Sequence, residues 1–161
     1  MHIIKAILID SKEQRVSEIE FDRDDYKNIS RALGCEYFEV VTYINRKQEC
    51  LMVDEEGLIR GPVEHFFFWR GYPQPLAGNG LIVGTDDEGE TVAPQGITVE
   101  EVRAAVDWVT PVRAAAAFNR VQVVRHAEAA IINAMGGEGG AHVIVAGPTL
   151  GIDGEGRAIA D

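Results

Sequence analysis

The sequence predicts an α+β fold, with a largely antiparallel sheet in β-β-α-β-β order followed by a further hairpin and C-terminal helices. Short apolar runs rich in β-branched residues alternate with acidic turns that end in glycine, as in residues 51–59 and 81–92. This alternation is typical of β-hairpins. Helical spacing of apolar residues occurs in fewer places, between residues 26 and 33 and after residue 98. Runs of strands without intervening helices favour antiparallel pairing.

The first predicted hairpin joins residues 2–9 to residues 15–21. Charged residues separate Val16, Ile19 and Phe21 in the second segment. We therefore expect these three side chains to point inward and the outer face of the hairpin to contact water.

A short helix and a second hairpin follow. Ile29 and Leu33 have helical spacing, and Gly34 predicts the end of the helix. Residues 37–44 and 49–53 are predicted to be paired strands, since both are apolar and a polar turn separates them.

The stretch 75–94, which reads PLAGNGLIVGTDDEGETVAP, is predicted to form the centre of the fold. Its apolar run 81–83 predicts a buried strand, and the glycines within residues 78–80 favour a tight turn before it. The acidic residues 86–88 are contiguous, so their side chains diverge. They indicate a hairpin turn, with Gly89 in the left-handed conformation, rather than a metal site.

The C-terminal third is predicted to be helical. Thr98 and Glu101 have the spacing of a capping box, and an apolar stripe at helical spacing continues from residue 99 to residue 109. Residues 112–134 are rich in alanine and apolar around much of the helix. Such a helix needs a partner surface, and we expect a homodimer contact there.

Length and composition indicate a single α+β domain over residues 1–135, with a glycine-rich tail at 136–161 that can form a hairpin.

The formal net charge is −11, which argues against direct binding to nucleic acid or to an anionic membrane. The N-terminus does not read as a signal peptide and no apolar run is long enough to span a bilayer. A cytoplasmic location is expected. Cys35 and Cys50 could pair or remain buried thiols.

No catalytic residue, metal ligand or cofactor is predicted. The histidines lack zinc-site spacing, and the sequence contains no GxSxG or CxxC motif. A phosphate-binding loop is disfavoured, because residues 78–80 lead into a strand rather than a helix.

A ligand pocket is the candidate site. Five aromatic residues lie within residues 66–72, where they either complete the core or offer a surface on which a flat ligand can stack. Residues 78–80, which we call the glycine loop, are expected to form the other side of the pocket. The candidate ligand-binding residues are His65, Trp69, Arg70, Tyr72, Gly78, Asn79 and Gly80.

Residues 75–90, together with residues 5–10, 37–41 and 53–57, are similar to landmarks of an uncharacterised domain family carried by bacteriophages and plasmids. The resemblance covers about residues 4–109. It implies an accessory protein of a mobile element in a bacterial host, and it implies no activity.

The first hypothesis is therefore a non-enzymatic protein of phage or plasmid origin that binds a small molecule or a host protein. Two alternatives stay open. One is an acidic decoy that imitates DNA and inhibits a host nucleic-acid-binding protein, and the other is an enzyme whose site the sequence does not reveal.

Overall fold

The computed structural model describes residues 1–46, 48–59, 63–117, 119 and 150–160. Helices and antiparallel sheets are combined, which confirms the α+β class. The elements in chain order are β1 (Ile3–Asp10), β2 (Arg15–Asp22), α1 (Lys27–Leu33), β3 (Phe38–Ile44), β4 (Glu49–Asp54), β5 (Phe66–Trp69), β6 (Leu76–Ala77), β7 (Gly80–Thr85), β8 (Thr91–Val92), α2 (Val99–Ala105), β9 (Val106–Val109), β10 (Leu150–Ile152) and β11 (Ala158–Ala160).

The main sheet has the strand order β2-β1-β7-β4-β3, and β8 pairs with the end of β7. All of these pairs are antiparallel. Leu81, Ile82 and Val83 lie on the central strand β7 and are at most 1% exposed, which confirms the predicted buried strand. The turn after it contains Gly89 with φ of 87°, as predicted.

The charged side chains of Glu18 and Glu20 are exposed, but the expectation that Val16, Ile19 and Phe21 all point to one inner face is wrong. Val16 packs with residues of the second sheet and α2, whereas Phe21 lies on the opposite face with Ile29 and Leu33 of α1. The alternation in β2 therefore distributes its apolar side chains between two cores instead of placing them all on one inner face.

A second, three-stranded sheet has the order β6-β5-β9 and packs over the main sheet. The prediction of one helix through residue 109 is wrong, because α2 ends at Ala105 and β9 follows. Val106 pairs with Trp69, and Val109 pairs with Phe66. β-branched residues that pair with aromatic neighbours across a sheet stabilise strand structure, and here that pairing prevails over the helical spacing.

The helix ends behave as their sequences predict. Gly34 has φ of 69° and ends α1. The hydroxyl of Thr98 accepts a hydrogen bond from the backbone N–H of Glu101 at 3.2 Å, which caps α2. The loop before α2 is held by Glu49, which is 1% exposed and accepts hydrogen bonds from the backbone N–H groups of Gln95 and Gly96.

The tail contributes the β10–β11 hairpin, which contacts the domain through a backbone bridge between Val63 and Ala158. Residues 111–117 are helical. The rest of the predicted alanine-rich helix, the predicted boundary at residue 135 and the expected homodimer contact lie outside the described residues.

Cys35 and Cys50 are both buried and form no disulfide with any described residue. None of the helices in the described ranges is long and apolar enough to cross a membrane.

Candidate functional site

The aromatic segment that was the candidate stacking surface is largely core. Phe67 is fully buried and Trp69 is 8% exposed, and both point from β5 toward the main sheet. Alternate residues of a strand point to opposite faces, and Phe66 accordingly lies in another apolar cluster. Tyr72 follows the turn after β5 and stays partly exposed. The ring of Trp69 is thus used for packing between the two sheets.

The two basic residues of the candidate site lie at opposite ends of β5. Arg70 is exposed, and its Nη2 donates to the carbonyl oxygen of Ala104 at 3.0 Å, at the end of α2. Nε2 of His65 lies 3.8 Å from Oε2 of Glu64. The structure therefore does not bring His65 and Arg70 together.

The glycine loop binds its own chain. The N–H of Gly78 donates to the carbonyl of His65 at 2.9 Å, and its carbonyl accepts from the hydroxyl of Ser11. Oδ1 of Asn79 accepts from the N–H of Ser11 at 3.3 Å, and Nδ2 of Asn79 donates to the carbonyl of Ala32 at 3.4 Å. These bonds join the end of β1 to α1 and to the start of β5. His65 and Gly78 are the pair of candidate residues that the structure does bring together.

Gly80 is required by packing. Its φ is not positive, but an added Cβ would lie 2.8 Å from Cζ of Phe67. The ligand-binding role of the glycine loop, of Trp69 and of Arg70 stays a prediction, and the geometry gives each of these groups a structural contact.

A cavity of about 220 Å³ lies beside Tyr72, between the end of the β3–β4 hairpin and the segment 72–77. We call it the Tyr72 cavity. Its lining comes from three segments of the chain. The lining residues are Glu39, Val41, Val53, Asp54, Glu55, Gly57, Leu58, Ile59, Tyr72, Gln74, Pro75, Leu76 and Ala77.

Two glycines shape the walls of the Tyr72 cavity. Gly71 has φ of 86° and reverses the chain after β5, so that Tyr72 donates its N–H to the carbonyl of Trp69 at 3.0 Å. On the other wall, a Cβ on Gly57 would lie 3.3 Å from Cβ of Ala77. Glycine thus allows the turn after β4 to lie close to β6 and to close one side of the cavity.

The described lining of the Tyr72 cavity combines apolar walls with acidic groups. Val41 and Leu58 are partly buried on the walls, and the carboxylates of Glu39 and Glu55 are exposed at the rim. None of the lining residues that the structure describes is Lys, Arg or His. The local field therefore favours neutral or cationic molecules over anions.

Gln74 is the unusual residue of this cavity. Its Oε1 is buried and has no hydrogen-bond partner among the residues that the structure describes. Buried polar atoms in folded proteins almost always have a partner, so this oxygen is an exception that calls for an explanation. Sequence reasoning missed Gln74. The only feature of the sequence that sets Gln74 apart is that it is a polar residue between Pro73 and Pro75. These three residues connect the aromatic segment to the glycine loop.

Two acidic residues outside the cavity, Asp24 and Asp86, have local partners. Nδ1 of His2 lies 2.8 Å from Oδ2 of Asp24, and this hydrogen bond is the main reason that the pKa of Asp24 falls below its ordinary value. Asp86 accepts from the backbone N–H groups of Glu88 and Glu90 within its own turn. Over the described ranges, no group of three or more His, Cys, Asp or Glu residues could hold a metal ion.

Residues 4–106 match the family model of a domain of unknown function, DUF3846. The chain belongs to this family. The resemblance to an uncharacterised domain family is thereby confirmed, and the matched range contains all the described lining residues of the Tyr72 cavity. No curated protein and no solved structure matches the chain.

Proposed function

We propose that this DUF3846 protein is a non-enzymatic binding protein that holds a small organic molecule in the Tyr72 cavity. One observation carries the proposal: the buried Oε1 of Gln74 has no partner among the described residues and lies in a cavity whose described lining falls within the family domain.

The energetic argument starts from that oxygen. A buried acceptor without a partner costs about 1–3 kcal/mol. A bound molecule with an N–H or O–H donor recovers this cost when the Gln74 amide turns toward it. The empty protein therefore bears a local penalty that ligand binding relieves, as expected of a site that is formed in advance of binding.

The walls define the chemical class of the ligand. A volume of about 220 Å³ lies below the range of about 300–1,000 Å³ that is common for drug-sized ligands, so the occupant is closer in size to a nucleobase or an amine than to a dinucleotide. The Tyr72 ring and the apolar walls suit a flat body. Glu39 and Glu55 at the rim suit a neutral or cationic group.

The biological setting of the proposal comes from the sequence. The resemblance to domains carried by bacteriophages and plasmids supports an accessory role for a mobile element, in the cytoplasm of a bacterial host. Binding to a host protein and formation of a homodimer through the alanine-rich segment are parts of this proposal that require separate tests.

Binding is tested by NMR, with mixtures of nucleobases, nucleosides and aromatic amines added to ¹⁵N-labelled protein. We expect saturable shifts of the amide signals of Gly57 and Leu58 and of the side-chain amide of Gln74. The variant Gln74→Leu removes the buried acceptor, so it should abolish the shifts of the Gly57 and Leu58 amide signals. The variant Gln48→Leu alters an exposed glutamine at the opposite end of β4 and serves as the matched control. Shifts of equal size in Gln74→Leu would contradict the proposal.

The decoy alternative has support in the net charge of −11. Some carboxylates of the protein already have partners within the chain, since Asp86 accepts a hydrogen bond in its own turn and Asp153 pairs with Arg157 at 2.9 Å. A salt titration separates the two proposals. Binding of a basic protein partner should weaken steeply with ionic strength, whereas binding in the Tyr72 cavity should not.

A further inference from the structure

A second cavity has the opposite chemistry to the Tyr72 cavity. It has a volume of about 280 Å³ and is lined by Gln14, Arg15, Val16, Arg103 and Trp108. Gln14 lies in the turn between β1 and β2, and Arg15 and Val16 begin β2. Arg103 lies on α2 and Trp108 lies on β9. Two guanidinium groups and an indole ring therefore meet at the rim between the two sheets. We call this the Arg–Trp cavity.

Arg103 is held in position for binding. Its Nη2 donates to the carbonyl oxygen of Val16 at 3.1 Å, across from α2 to the edge strand β2. Its Nη1 lies 3.7 Å from Oε1 of Glu100, and both side chains are more than half exposed. An ion pair at this distance and exposure is weak, so an incoming anion can replace Glu100 beside Nη1.

Arg15 has no such structural contact. Its side chain is exposed, and it forms no hydrogen bond or ion pair with any residue that the structure describes. Gln14 precedes it with φ of 51°, a backbone conformation that is uncommon for residues other than glycine. The start of β2 thus presents a positive charge, without an ion-pair partner among the described residues, at the cavity of a protein whose net charge is −11.

Trp108 supplies the flat wall. It pairs with Phe67 across the second sheet and packs partly against the core between the sheets, so its ring is fixed while part of it stays exposed. A fixed indole offers a surface on which aromatic rings stack, and guanidinium groups bind phosphate oxygens through charge-assisted hydrogen bonds.

We propose that the Arg–Trp cavity binds a flat aromatic molecule that carries a phosphate, such as a nucleoside monophosphate. The ring stacks on Trp108 and the phosphate lies between Arg15 and Arg103. This site is independent of the Tyr72 cavity, and the two sites differ in the charge of the ligand that they favour.

The test uses adenosine 5′-monophosphate, adenosine and inorganic phosphate as probes, with the indole N–H signals of the two tryptophans as readout. Trp69 is 8% exposed and serves as an internal reference. The monophosphate should shift the Trp108 signal in a saturable way and leave the Trp69 signal in place. Adenosine and phosphate should each bind at least about tenfold more weakly, because each lacks one of the two contacts.

The variant Arg15→Gln separates recognition from folding, since the Arg15 side chain forms no hydrogen bond or ion pair in the part of the chain that the structure describes. It should weaken binding of the monophosphate by about tenfold or more and leave the weak binding of adenosine unchanged. Arg46→Gln makes the same change in charge at the β3–β4 turn, at the opposite end of the main sheet, and should bind like the unaltered protein. Equal affinity of Arg15→Gln for the monophosphate, or no saturable shift of the Trp108 signal at millimolar probe, would overturn the proposal.

Discussion

Replacing Gly80 with alanine tests whether the glycine loop serves packing or ligand binding. The added Cβ would lie 2.8 Å from Cζ of Phe67, 3.0 Å from Cδ1 of Leu51 and 3.3 Å from Cδ1 of Ile9. Favourable carbon–carbon contacts lie at about 3.5–4.0 Å, so all three contacts are too short. The three neighbours are fully buried and cannot move aside into solvent.

The expected magnitude is the difference between two effects. Overpacking of a core by one methyl group costs about 1–3 kcal/mol. Alanine within a strand gains about 0.5–1 kcal/mol over glycine. We therefore expect Gly80→Ala to lower the free energy of unfolding by about 1–2 kcal/mol, which corresponds to a fall in Tm of about 2–8 °C for a chain of this size.

The assay is urea denaturation followed by circular dichroism on ligand-free protein. Gly154→Ala is the control, because no atom in the described part of the chain lies within 4 Å of its added Cβ and its φ is not positive. The free energy of unfolding of this variant should change by less than about 0.5 kcal/mol. The double variant Gly80→Ala with Phe67→Leu should lose less stability than the sum of the two single losses, because the shortened side chain leaves room for the added Cβ. A Gly80→Ala protein as stable as the original would refute the packing argument.

Three further predictions concern the strand end, a surface carboxylate and a thiol. Gly84→Ala should lower the free energy of unfolding by about 2–3 kcal/mol in the same urea assay, because its Cβ would lie 2.7 Å from the backbone oxygen of Ala93. The backbone N–H of Arg157, and then its guanidinium, hold the pKa of Asp153 below the ordinary value of 3.8. Because the folded-state pKa is the lower one, this carboxylate stabilises the tail hairpin above the unfolded pKa, and the contribution is lost as pH falls through the folded pKa. Arg157→Gln should raise the pKa of Asp153 in a carbon-detected NMR titration, and an unchanged midpoint would contradict the assignment. Burial raises the pKa of the Cys50 thiol, so a thiol reagent should modify Cys50 in native protein far more slowly than in urea, and equal rates would show that the residue is accessible.

The parts of the fold that could be predicted are those where a short sequence pattern is compatible with a single local structure. The apolar run of β7 and the glycines at the end of α1 and in the β7–β8 turn belong to this class. The boundary between α2 and β9 could not be predicted in this way. Val102, Val106 and Val109 have helical spacing, but the last two lie on a strand whose partner, β5, is distant in the sequence.

The candidate site was harder to predict, because composition does not reveal which face of a strand a side chain occupies. The sequence left open whether the aromatic segment packs in the core or offers a stacking surface, and the structure buries Trp69 while Tyr72 lines a cavity. The Tyr72 cavity also draws its walls from three separate segments. The buried oxygen of Gln74 becomes visible only when those segments are brought together.

Native mass spectrometry of protein freshly purified from a bacterial cytoplasm tests the central claim most directly. It compares the unaltered protein with Gln74→Leu and with the surface control Gln48→Leu. The proposed function predicts a retained small molecule in the unaltered protein and in the control, and its loss in Gln74→Leu, which should also be more stable once ligand is removed because the unpartnered oxygen is gone. A retained molecule that persists equally in Gln74→Leu would contradict binding in the Tyr72 cavity.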